Sequence, residues 1–518
     1  MCPLIGIYDN PDEQSQEPLY FNIAEQGNIV IVGSPGSGKT TMLQTTIFSI
    51  CKNHDAEDVN LYILDFGGRT LKLLENIPQV STVIVPEEEV KLNTLLKVLK
   101  REIDTRKEKF SKYGVNSLTS YRQASNEKLP HIVVAIDNYA SFSEYYEDAS
   151  DVITFISREG INLGITLIIT ANQSSNINHR LSANMEIKIV LKCNDKAEYS
   201  NVIDSCRMEP DNVEGRGLVK IDKNIFEFQT ALAIEGENEI SRAENIKILV
   251  NDMRENAKVV AKKLPIMPKV LRLSDVIERM DNNEYQLSVG VDYEFIENKY
   301  ISLMESTVKN ILGPAKSGKT NMLKNICKTL EQNNYNKPSE LYIVDSDKYS
   351  LEEFKDLDIT KEYINGSYEI DLILDDLIYK LEERESRVKE GKSLNMSSEE
   401  VLLDDSLLVL AIDDGDDIAG KLNYEYELQD KFKKLINDYG YLKFCIIICG
   451  TDLEFASDYN EGPKLYKSNG IGIIYSTLSN QNYYDLGYFS NEKDLNIGDA
   501  YLIKDKKYIK IKTPICNI

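Results

Sequence analysis

Two short stretches of this sequence have the glycine, lysine and threonine spacing that binds the phosphates of a nucleotide. Both satisfy G-x-x-x-x-G-K-[ST], the P-loop pattern, and they lie 280 positions apart. In such a loop the glycines let backbone N–H groups turn towards phosphate oxygens. The stretches are Gly33-Ser34-Pro35-Gly36-Ser37-Gly38-Lys39-Thr40, followed by Thr41, and Gly313-Pro314-Ala315-Lys316-Ser317-Gly318-Lys319-Thr320, followed by Asn321. The alternative for either stretch is a glycine-rich turn that carries a surface lysine.

Each loop lies between an apolar run and a helix-like stretch, which is the order that a P-loop requires. The runs at 28–32 and 308–312 read as short buried parallel strands. Apolar residues return at near-helical spacing after each loop, so the loop should lead into a helix whose N-terminus favours an anion. The lysine should reach the terminal phosphates, and the hydroxyl should ligate Mg²⁺. The residues given these roles are Lys39 and Thr40 in the first loop, and Lys319 and Thr320 in the second.

A nucleotide site also needs a carboxylate at the end of a buried strand, where it holds the water shell of the metal. The apolar runs that begin at positions 131 and 407 end in Asp137 and Asp413, 276 positions apart. A second pair of runs ends in Asp65 and Asp345. An acid in this place could instead cap a neighbouring helix. We predict the metal-shell role for Asp137 and Asp413, and a structural role for Asp65 and Asp345.

Three further side chains in the first half could act in hydrolysis. The strand-like run after position 164 leads to Gln173, whose amide could lie near the γ-phosphate or the attacking water. Arg106 or Arg158 could act in trans as an arginine finger. A solvated helix arginine is the alternative for both. By spacing, Arg106 corresponds to Arg387, 281 positions later.

Composition limits the class of protein. The chain has 518 residues and a net charge of −24, which opposes a basic track for nucleic acid. Its eight cysteines form no C-x-x-C pair and it has three histidines, which argues against a zinc site and for a reducing, cytosolic environment. No apolar stretch approaches the roughly 20 residues that span a bilayer. We therefore expect this chain itself to be soluble, with no membrane-spanning segment.

The matching spacing of loops and acids indicates a tandem duplication. Each half is large enough to bury its own core. Two prolines, Pro265 and Pro268, interrupt a helical stretch between the halves. We predict an α/β protein with domains at 1–263 and 264–518, each a mainly parallel sheet flanked by helices.

Phrases along the whole chain resemble the EssC/EccC proteins, which are FtsK/SpoIIIE-type membrane ATPases of type VII secretion. They are the lead-in at 3–11, Gly27-Asn28, Leu64-Asp65-Phe66-Gly67, Ile136-Asp137-Asn138-Tyr139, Arg158 with Gly160, Gly215-Arg216-Gly217, Pro265-Ile266-Met267-Pro268 and Gly498-Asp499-Ala500-Tyr501-Leu502-Ile503. The resemblance implies two tandem RecA-like P-loop NTPase domains of the FtsK/HerA type. Residues 1–263 resemble the penultimate domain, D2, and residues 264–518 resemble the last and more divergent one, D3.

The resemblance also implies cofactors, partners and a location. Proteins of this kind carry transmembrane helices ahead of three ATPase domains, so we expect the chain to be the last part of a protein at the cytoplasmic face of the cell membrane. The implied cofactors are ATP and Mg²⁺. The implied partners are WXG100-type secretion substrates, whose C-terminal signal the last domain recognises, and other secretion-system subunits. Assembly of the full-length protein into a hexameric ring is implied as well.

The residue after each strand-end aspartate departs from the family pattern. Active members of the wider superfamily have a glutamate there, which orients or activates water, whereas this chain has Asn138 and Asp414. An amide cannot accept a proton, and aspartate is one methylene shorter than glutamate. We therefore expect slow hydrolysis in the first domain, doubtful hydrolysis in the second, and a regulatory role for bound nucleotide.

Two other functions stay open from the sequence. A DNA-pumping translocase of the same fold would need a basic DNA-facing surface and a C-terminal winged helix, which neither the charge balance nor the strand-like ending favours. A scaffold without turnover would use nucleotide only to fix the geometry between domains. Asn138 is the observation that favours the scaffold.

Overall fold

A computed structural model describes residues 1–11, 13–277, 285–333, 338–451, 471–481, 483–489 and 492–516. The chain divides into two compact units, Met1–Ile266 and Met267–Ile518. The division falls in the stretch that contains Pro265 and Pro268. Among the described residues, each unit is built on one ten-stranded sheet.

The first unit has its sheet flanked by helices on both faces. Its strands are β1 (Leu4–Asn10), β2 (Ser15–Tyr20), β3 (Asn28–Val32), β4 (Val59–Asp65), β5 (Val80–Ile84), β6 (His131–Asp137), β7 (Ile165–Ala171), β8 (Met185–Leu191), β9 (Arg216–Ile221) and β10 (Asn224–Thr230). Its helices are α1 (Ile23–Gln26), α2 (Lys39–Asn53), α3 (Glu89–Lys112), α4 (Leu118–Ala124), α5 (Tyr139–Tyr145), α6 (Glu147–Glu159), α7 (His179–Ser182), α8 (Ala197–Val202) and α9 (Glu239–Glu255).

The strand order in this sheet is β2-β1-β10-β9-β8-β3-β7-β6-β4-β5. The strands from β8 to β5 pair in parallel. The other four continue the sheet in antiparallel pairs. The predicted α/β fold is therefore confirmed. The sheet is mixed, because an antiparallel extension follows the parallel half.

The parallel strands are mainly apolar, as expected where helices cover both faces of a sheet. All five residues of β3 are buried. Val30 and Val32 enter one core with residues of α3 and α6. Ile29 and Ile31 enter the other with residues of α2 and α9.

The second unit repeats this architecture. Its strands are β11 (Gln286–Asp292), β12 (Asn298–Ser302), β13 (Val308–Leu312), β14 (Ser339–Asp345), β15 (Thr360–Asn365), β16 (Leu407–Ile412), β17 (Phe444–Gly450), β18 (Gly472–Ile474), β19 (Asp499–Lys504) and β20 (Lys507–Lys512). Its described helices are α10 (Leu273–Val276), α11 (Lys319–Asn333), α12 (Ile370–Ser393), α13 (Ser398–Val401), α14 (Gly415–Lys421) and α15 (Tyr426–Asn437). The strand order is β12-β11-β20-β19-β18-β13-β17-β16-β14-β15, which is the order of the first sheet strand for strand.

Candidate nucleotide sites

The first P-loop joins β3 to α2 at the edge where the parallel strands end. Gly36 and Gly38 both have positive φ, 78° and 98°. A Cβ on Gly36 would meet open space, whereas a Cβ on Gly38 would lie 3.1 Å from the backbone nitrogen of Gly215. That nitrogen donates a hydrogen bond of 3.0 Å to the carbonyl of Ser37. Glycine at position 38 is therefore required by both its φ and the close approach of Gly215.

The remaining residues of this loop are fixed by neighbouring backbone. The nitrogen of Ser34 donates to the carbonyl of Lys192 over 2.9 Å, and its Oγ accepts from the nitrogen of Asn194 over 2.8 Å. Pro35 is exposed, and Thr41 lies half-buried in the first turn of α2. The start of the loop is thus held by residues that follow β8, whereas Pro35 at its tip is exposed.

Lys39 lies folded across its own loop. Its Nζ donates to the carbonyl oxygens of Gly33 and Ser34 over 2.6 and 3.0 Å. Burial lowers the pKa of this amine, and the charge of Asp137 partly opposes that effect. The ammonium group is therefore held beside the loop by two exchangeable carbonyl contacts, and a phosphate oxygen can replace them.

Asp137 at the end of β6 lies against the loop threonine, as a metal-shell role requires. Its Oδ2 accepts from Thr40 Oγ1 over 2.9 Å, and its Oδ1 accepts from Thr170 Oγ1 over 2.7 Å. The neighbouring strand-end acid, Asp65, instead accepts from the backbone nitrogens of Arg69 and Leu71. That is the structural role predicted for it. Burial raises the pKa of Asp65, and the nearby charge of Asp137 raises it further.

Asn138 adopts a left-handed backbone conformation, with φ 63° and ψ 70°. Its side-chain amide donates to the carbonyl of Phe66 over 3.2 Å and to Ser141 Oγ over 2.7 Å. Its backbone nitrogen donates to Thr170 Oγ1 over 2.8 Å. The Oδ1 is buried and has no hydrogen-bond partner among the described residues. The side chain thus donates hydrogen bonds both to its own turn, at Ser141, and to the residue that follows β4, Phe66.

The second unit brings together the corresponding three residues with the same contacts. Lys319 Nζ donates to the carbonyls of Gly313 and Pro314 over 2.6 and 2.9 Å. Thr320 Oγ1 donates to Asp413 Oδ1 over 2.8 Å. Burial raises the pKa of Asp413, and the charges of Asp345 and Asp414 raise it as well. The hydrogen bonds that Asp413 accepts from the hydroxyls of Thr320 and Ser346 lower this pKa.

The second loop differs from the first in what surrounds it. Lys316 takes the left-handed position of Gly36, with φ 63°. The ring of Tyr475 lies against Gly318, where a Cβ would be 3.2 Å from a ring carbon, so a side chain fills the place that Gly215 backbone fills in the first unit. Pro314 and Ala315 are exposed.

Asn321, the residue after the second loop, is occupied by contacts within its own unit. Its Nδ2 donates to the carbonyl of Pro514 over 2.8 Å, and its Oδ1 accepts from the nitrogen of Cys516 over 3.0 Å. The segment at 514–516 is thus bound to the first turn of α11. Thr41 holds the corresponding place in the first unit.

Arg106 does not lie in solvent, so the solvated-helix interpretation was wrong. It is fully buried. Its Nη1 and Nη2 donate to the carbonyls of Leu163 and Pro130 over 2.7 and 2.8 Å, and its Nε donates to Glu102 over 2.7 Å. These donors face the start of the parallel strands, and the fully buried side chain exposes no group that could act as an arginine finger.

The predicted correspondence of Arg106 with Arg387 was also wrong. Arg384 is the counterpart, because it donates to the carbonyls of Leu442 and Ser406 over 2.9 and 2.8 Å, at the same place in the second sheet. Arg387 lies one turn further along α12 and pairs with Asp405 over 2.7 Å. Matching chain offsets alone misassigned the residue by one helical turn.

Arg158 and Gln173 do not join the group around Asp137. Arg158 is exposed and pairs with Glu159 over 2.9 Å. Gln173 is exposed at the start of the short turn after β7, where its nitrogen donates to Asn176 Oδ1 over 3.0 Å. Among the described residues, no hydrogen bond links either side chain to a P-loop.

Sequence reasoning missed the second donor to each strand-end aspartate. In the first unit it is Thr170, near the end of the mainly apolar β7. In the second it is Ser346, whose Oγ donates to Asp413 Oδ2 over 3.0 Å. The signal that could have found them is a hydroxyl residue at or near the carboxyl end of a strand that neighbours the aspartate strand.

ATP and Mg²⁺ fit the residues present. The loop glycines leave no Cβ on the phosphate side, and the Oγ atoms of Ser37 and Ser317 are buried without a hydrogen-bond partner in the described chain. No cluster of three or more His, Cys, Asp or Glu side chains that could hold a metal occurs among the described residues. A P-loop Mg²⁺ needs no such cluster, because it is held by one hydroxyl, phosphate oxygens and water-bridged carboxylates.

Comparison with known proteins gives a consistent picture. Residues 5–209 match the model of the FtsK/SpoIIIE family. The ESX secretion system protein EccC of Geobacillus thermodenitrificans is 28% identical over 98% of this chain, and the type VII secretion system protein EssC of Staphylococcus aureus is 26% identical over 98%. The chain spans about a third of the length of these relatives: 34% and 33%.

Solved structures agree with this similarity. The structure of EssC ATPases 2 and 3 from Geobacillus thermodenitrificans superposes with a TM-score of 0.82 at 26% identity, covering 100% of this chain and 96% of that one. Thermomonospora curvata EccC ATPases 2 and 3, in complex with a signal sequence peptide, superpose with a TM-score of 0.54 at 20% identity, covering 100% and 93%. The second likeness is one of fold alone. Within the described residues, no helix combines the length and the apolar character needed to cross a membrane.

Proposed function

Because the first unit contains an FtsK/SpoIIIE domain and the whole chain resembles EssC and EccC, we propose that the chain is an ATP-binding module of a type VII protein-secretion motor. The observation that carries the proposal is the group of lysine, threonine and strand-end aspartate at the P-loop. It occurs in both units, with threonine–aspartate distances of 2.9 and 2.8 Å. The secretion role comes from the relatives.

Each unit would bind one nucleotide through corresponding residues that have the same roles. The loop N–H groups and the lysine hold the phosphates, and the threonine hydroxyl ligates Mg²⁺ while the aspartate holds its water shell. Bound Mg²⁺ neutralises charge on the phosphate oxygens. The residues with these roles are Lys39, Thr40 and Asp137 in the first unit, and Lys319, Thr320 and Asp413 in the second.

Hydrolysis in this proposal is weak or regulatory. The amide of Asn138 donates to Phe66 and Ser141, and it has no basic group for an attacking water. Asp414 caps α14, where its Oδ1 accepts from the nitrogen of Asp417 over 3.3 Å. Gln173 and the exposed Arg158 remain the proposed hydrolytic residues of the first unit, the latter acting in trans on a neighbouring copy.

The partners in this proposal follow from the family resemblance. The units correspond to D2 and D3, and D3 recognises the C-terminal signal of WXG100-type substrates. The full-length protein is anchored at the cytoplasmic face of the membrane, assembles into hexamers and contacts other secretion-system subunits. This chain supplies the cytosolic part.

Isothermal titration with ATP·Mg²⁺ tests the nucleotide sites. We expect two sites in the unaltered chain and one in each of Lys39→Ala and Lys319→Ala. Lys128→Ala serves as the charge-matched control and should keep both sites, because Lys128 is an exposed lysine that pairs with Glu57. If the unaltered chain binds no ATP, the nucleotide proposal is wrong.

The secretion role is tested against its alternatives with two ligands. A peptide from a WXG100 C-terminus should bind the chain, whereas duplex DNA should not bind at physiological salt, because the net charge is −24. Tight DNA binding without peptide binding would favour the translocase. Binding of ATP without any turnover, even with Asn138→Glu, would favour the scaffold.

A further inference from the structure

Each strand-end aspartate receives a second hydroxyl besides the P-loop threonine, and the two units take it from opposite neighbours. Asp137 Oδ1 accepts from Thr170 over 2.7 Å, and Thr170 lies on β7, on one side of β6. Asp413 Oδ2 accepts from Ser346 over 3.0 Å, and Ser346 directly follows β14, on the other side of β16. Both carboxylates therefore have one oxygen on the loop threonine and one on a neighbouring strand.

The strand registers show that these two donors are not equivalent residues. Thr170 pairs with Ile31, and the residue that pairs with Ile311 in the second unit is Cys449. Cys449 is fully buried and carries no hydroxyl. The position after the β4 acid, taken by Ser346 in the second unit, is Phe66 in the first. The contact is thus present in both units although a different residue makes it in each.

The second hydroxyl fixes how the carboxylate is turned. A carboxylate held by a single hydrogen bond can rotate about its Cβ–Cγ bond, whereas hydrogen bonds on both oxygens set its plane. In the first unit Thr170 Oγ1 also accepts from the nitrogen of Asn138 over 2.8 Å, which ties the aspartate to the left-handed turn that follows it. Groups that orient metal-binding residues in this way typically contribute about 10–100-fold to metal affinity.

We propose that Thr170 and Ser346 are positioning residues that aim the strand-end aspartates at the metal water shell during Mg²⁺-dependent nucleotide binding. The inference rests on the proposed function of the two loops. It predicts that loss of either hydroxyl weakens the gain in ATP affinity that Mg²⁺ provides, and leaves ATP binding in EDTA unchanged.

The first unit is tested in the full chain carrying Lys319→Ala, so that one site remains. ATP affinity is measured with Mg²⁺ and with EDTA, and the ratio of the two is compared between variants. Thr170→Val should lower that ratio about 10-fold or more, whereas Thr170→Ser should keep it. Thr166→Val is the matched control, because it makes the same substitution on the same buried strand, and Thr166 bonds His131 over 2.9 Å rather than the aspartate.

The second unit offers a rescue experiment in the chain carrying Lys39→Ala. Ser346→Ala should lower the same ratio, and adding Cys449→Thr should restore it by supplying the hydroxyl from the strand that the first unit uses. An unchanged ratio in both Thr170→Val and Ser346→Ala would overturn the inference while leaving the nucleotide sites in place. A parent chain that binds no ATP would overturn the proposed function and the inference together.

Discussion

Replacing Arg106 by lysine separates a structural arginine from a catalytic one. The guanidinium donates to the carbonyls of Leu163 and Pro130, which precede two neighbouring strands, β7 and β6, and to Glu102. The lysine ammonium carries its three N–H groups on a single nitrogen and cannot span acceptors that lie on different sides of the guanidinium, so we expect it to keep one of these contacts. Two buried charge-assisted hydrogen bonds are lost, and each contributes about 1.5–3 kcal/mol. We expect Arg106→Lys to lower the free energy of unfolding by about 3–6 kcal/mol, a large share of the roughly 5–15 kcal/mol typical of a domain.

Urea unfolding of the full chain, followed by far-UV circular dichroism and tyrosine fluorescence, measures this change. The chain has no tryptophan and 30 tyrosines. Arg106→Lys should shift the transition of the first unit, and Arg384→Lys that of the second. Arg158→Lys is the exposed control and should change the unfolding free energy by less than about 0.5 kcal/mol. An unchanged unfolding curve for Arg106→Lys, together with a loss of turnover of about 10³-fold or more, would identify an arginine finger and refute the structural role.

Four other substitutions have defined outcomes. Burial lowers the pKa of His131 to about 3, so below the ordinary pKa of histidine the unfolded chain takes up a proton that the folded chain does not. The unfolding free energy should therefore fall by about 1.5–2 kcal/mol from pH 6.5 to 5. His131→Gln should remove this part of the pH dependence, which is measured as urea midpoints at a series of pH values. Lys316→Gly should raise the thermal midpoint of the second unit by relieving a left-handed lysine that costs about 1 kcal/mol, and a lower midpoint would contradict this. Gly38→Ala should weaken ATP binding in the first unit more than Gly36→Ala does: both positions have positive φ, but the Cβ at position 38 would also lie 3.1 Å from the backbone nitrogen of Gly215, whereas the Cβ at position 36 meets open space. Equal ATP affinities of the two variants would refute the close-approach argument.

The P-loops and their strands could be predicted because their signals are local. Each loop reads as strand, glycine turn and helix within about 30 residues, and the structure begins α2 at Lys39 and α11 at Lys319. The aspartates after the apolar runs were found for the same reason. The antiparallel extension was not foreseen, because it brings β1 and β2 beside β9 and β10 from the far end of the same unit.

Side chains whose roles depend on distant segments could not be read from the sequence. Arg106 is buried because carbonyls from two separate connections, at Leu163 and Pro130, accept hydrogen bonds from it. The sequence of its own helix gives no signal of these contacts. Thr170 and Ser346 act through pairing between neighbouring strands, and the units differ in which neighbour supplies the hydroxyl. The left-handed conformation of Asn138 depends on the turn after β6. It directs the side-chain amide to Phe66 and Ser141, at the position where active members of the superfamily have a glutamate that orients water.

The second site is the more divergent by structure as well as by sequence. Lys316 replaces a glycine, Tyr475 fills the space beside Gly318, and Asn321 binds the segment at 514–516. The threonine–aspartate contact is nonetheless retained. We therefore expect ATP·Mg²⁺ to bind both units and the first to have the higher affinity.

A crystal or cryo-EM structure of the chain with a non-hydrolysable ATP analogue and Mg²⁺ would show whether both loops hold a nucleotide. We expect a phosphate chain in both loops, with Lys39 and Lys319 moved from their loop carbonyls to phosphate oxygens. Thr40 and Thr320 should then face the metal, and Asp137 and Asp413 should keep their contacts with Thr170 and Ser346. A nucleotide bound away from both loops, or lysines that keep their carbonyl contacts beside a bound nucleotide, would contradict it.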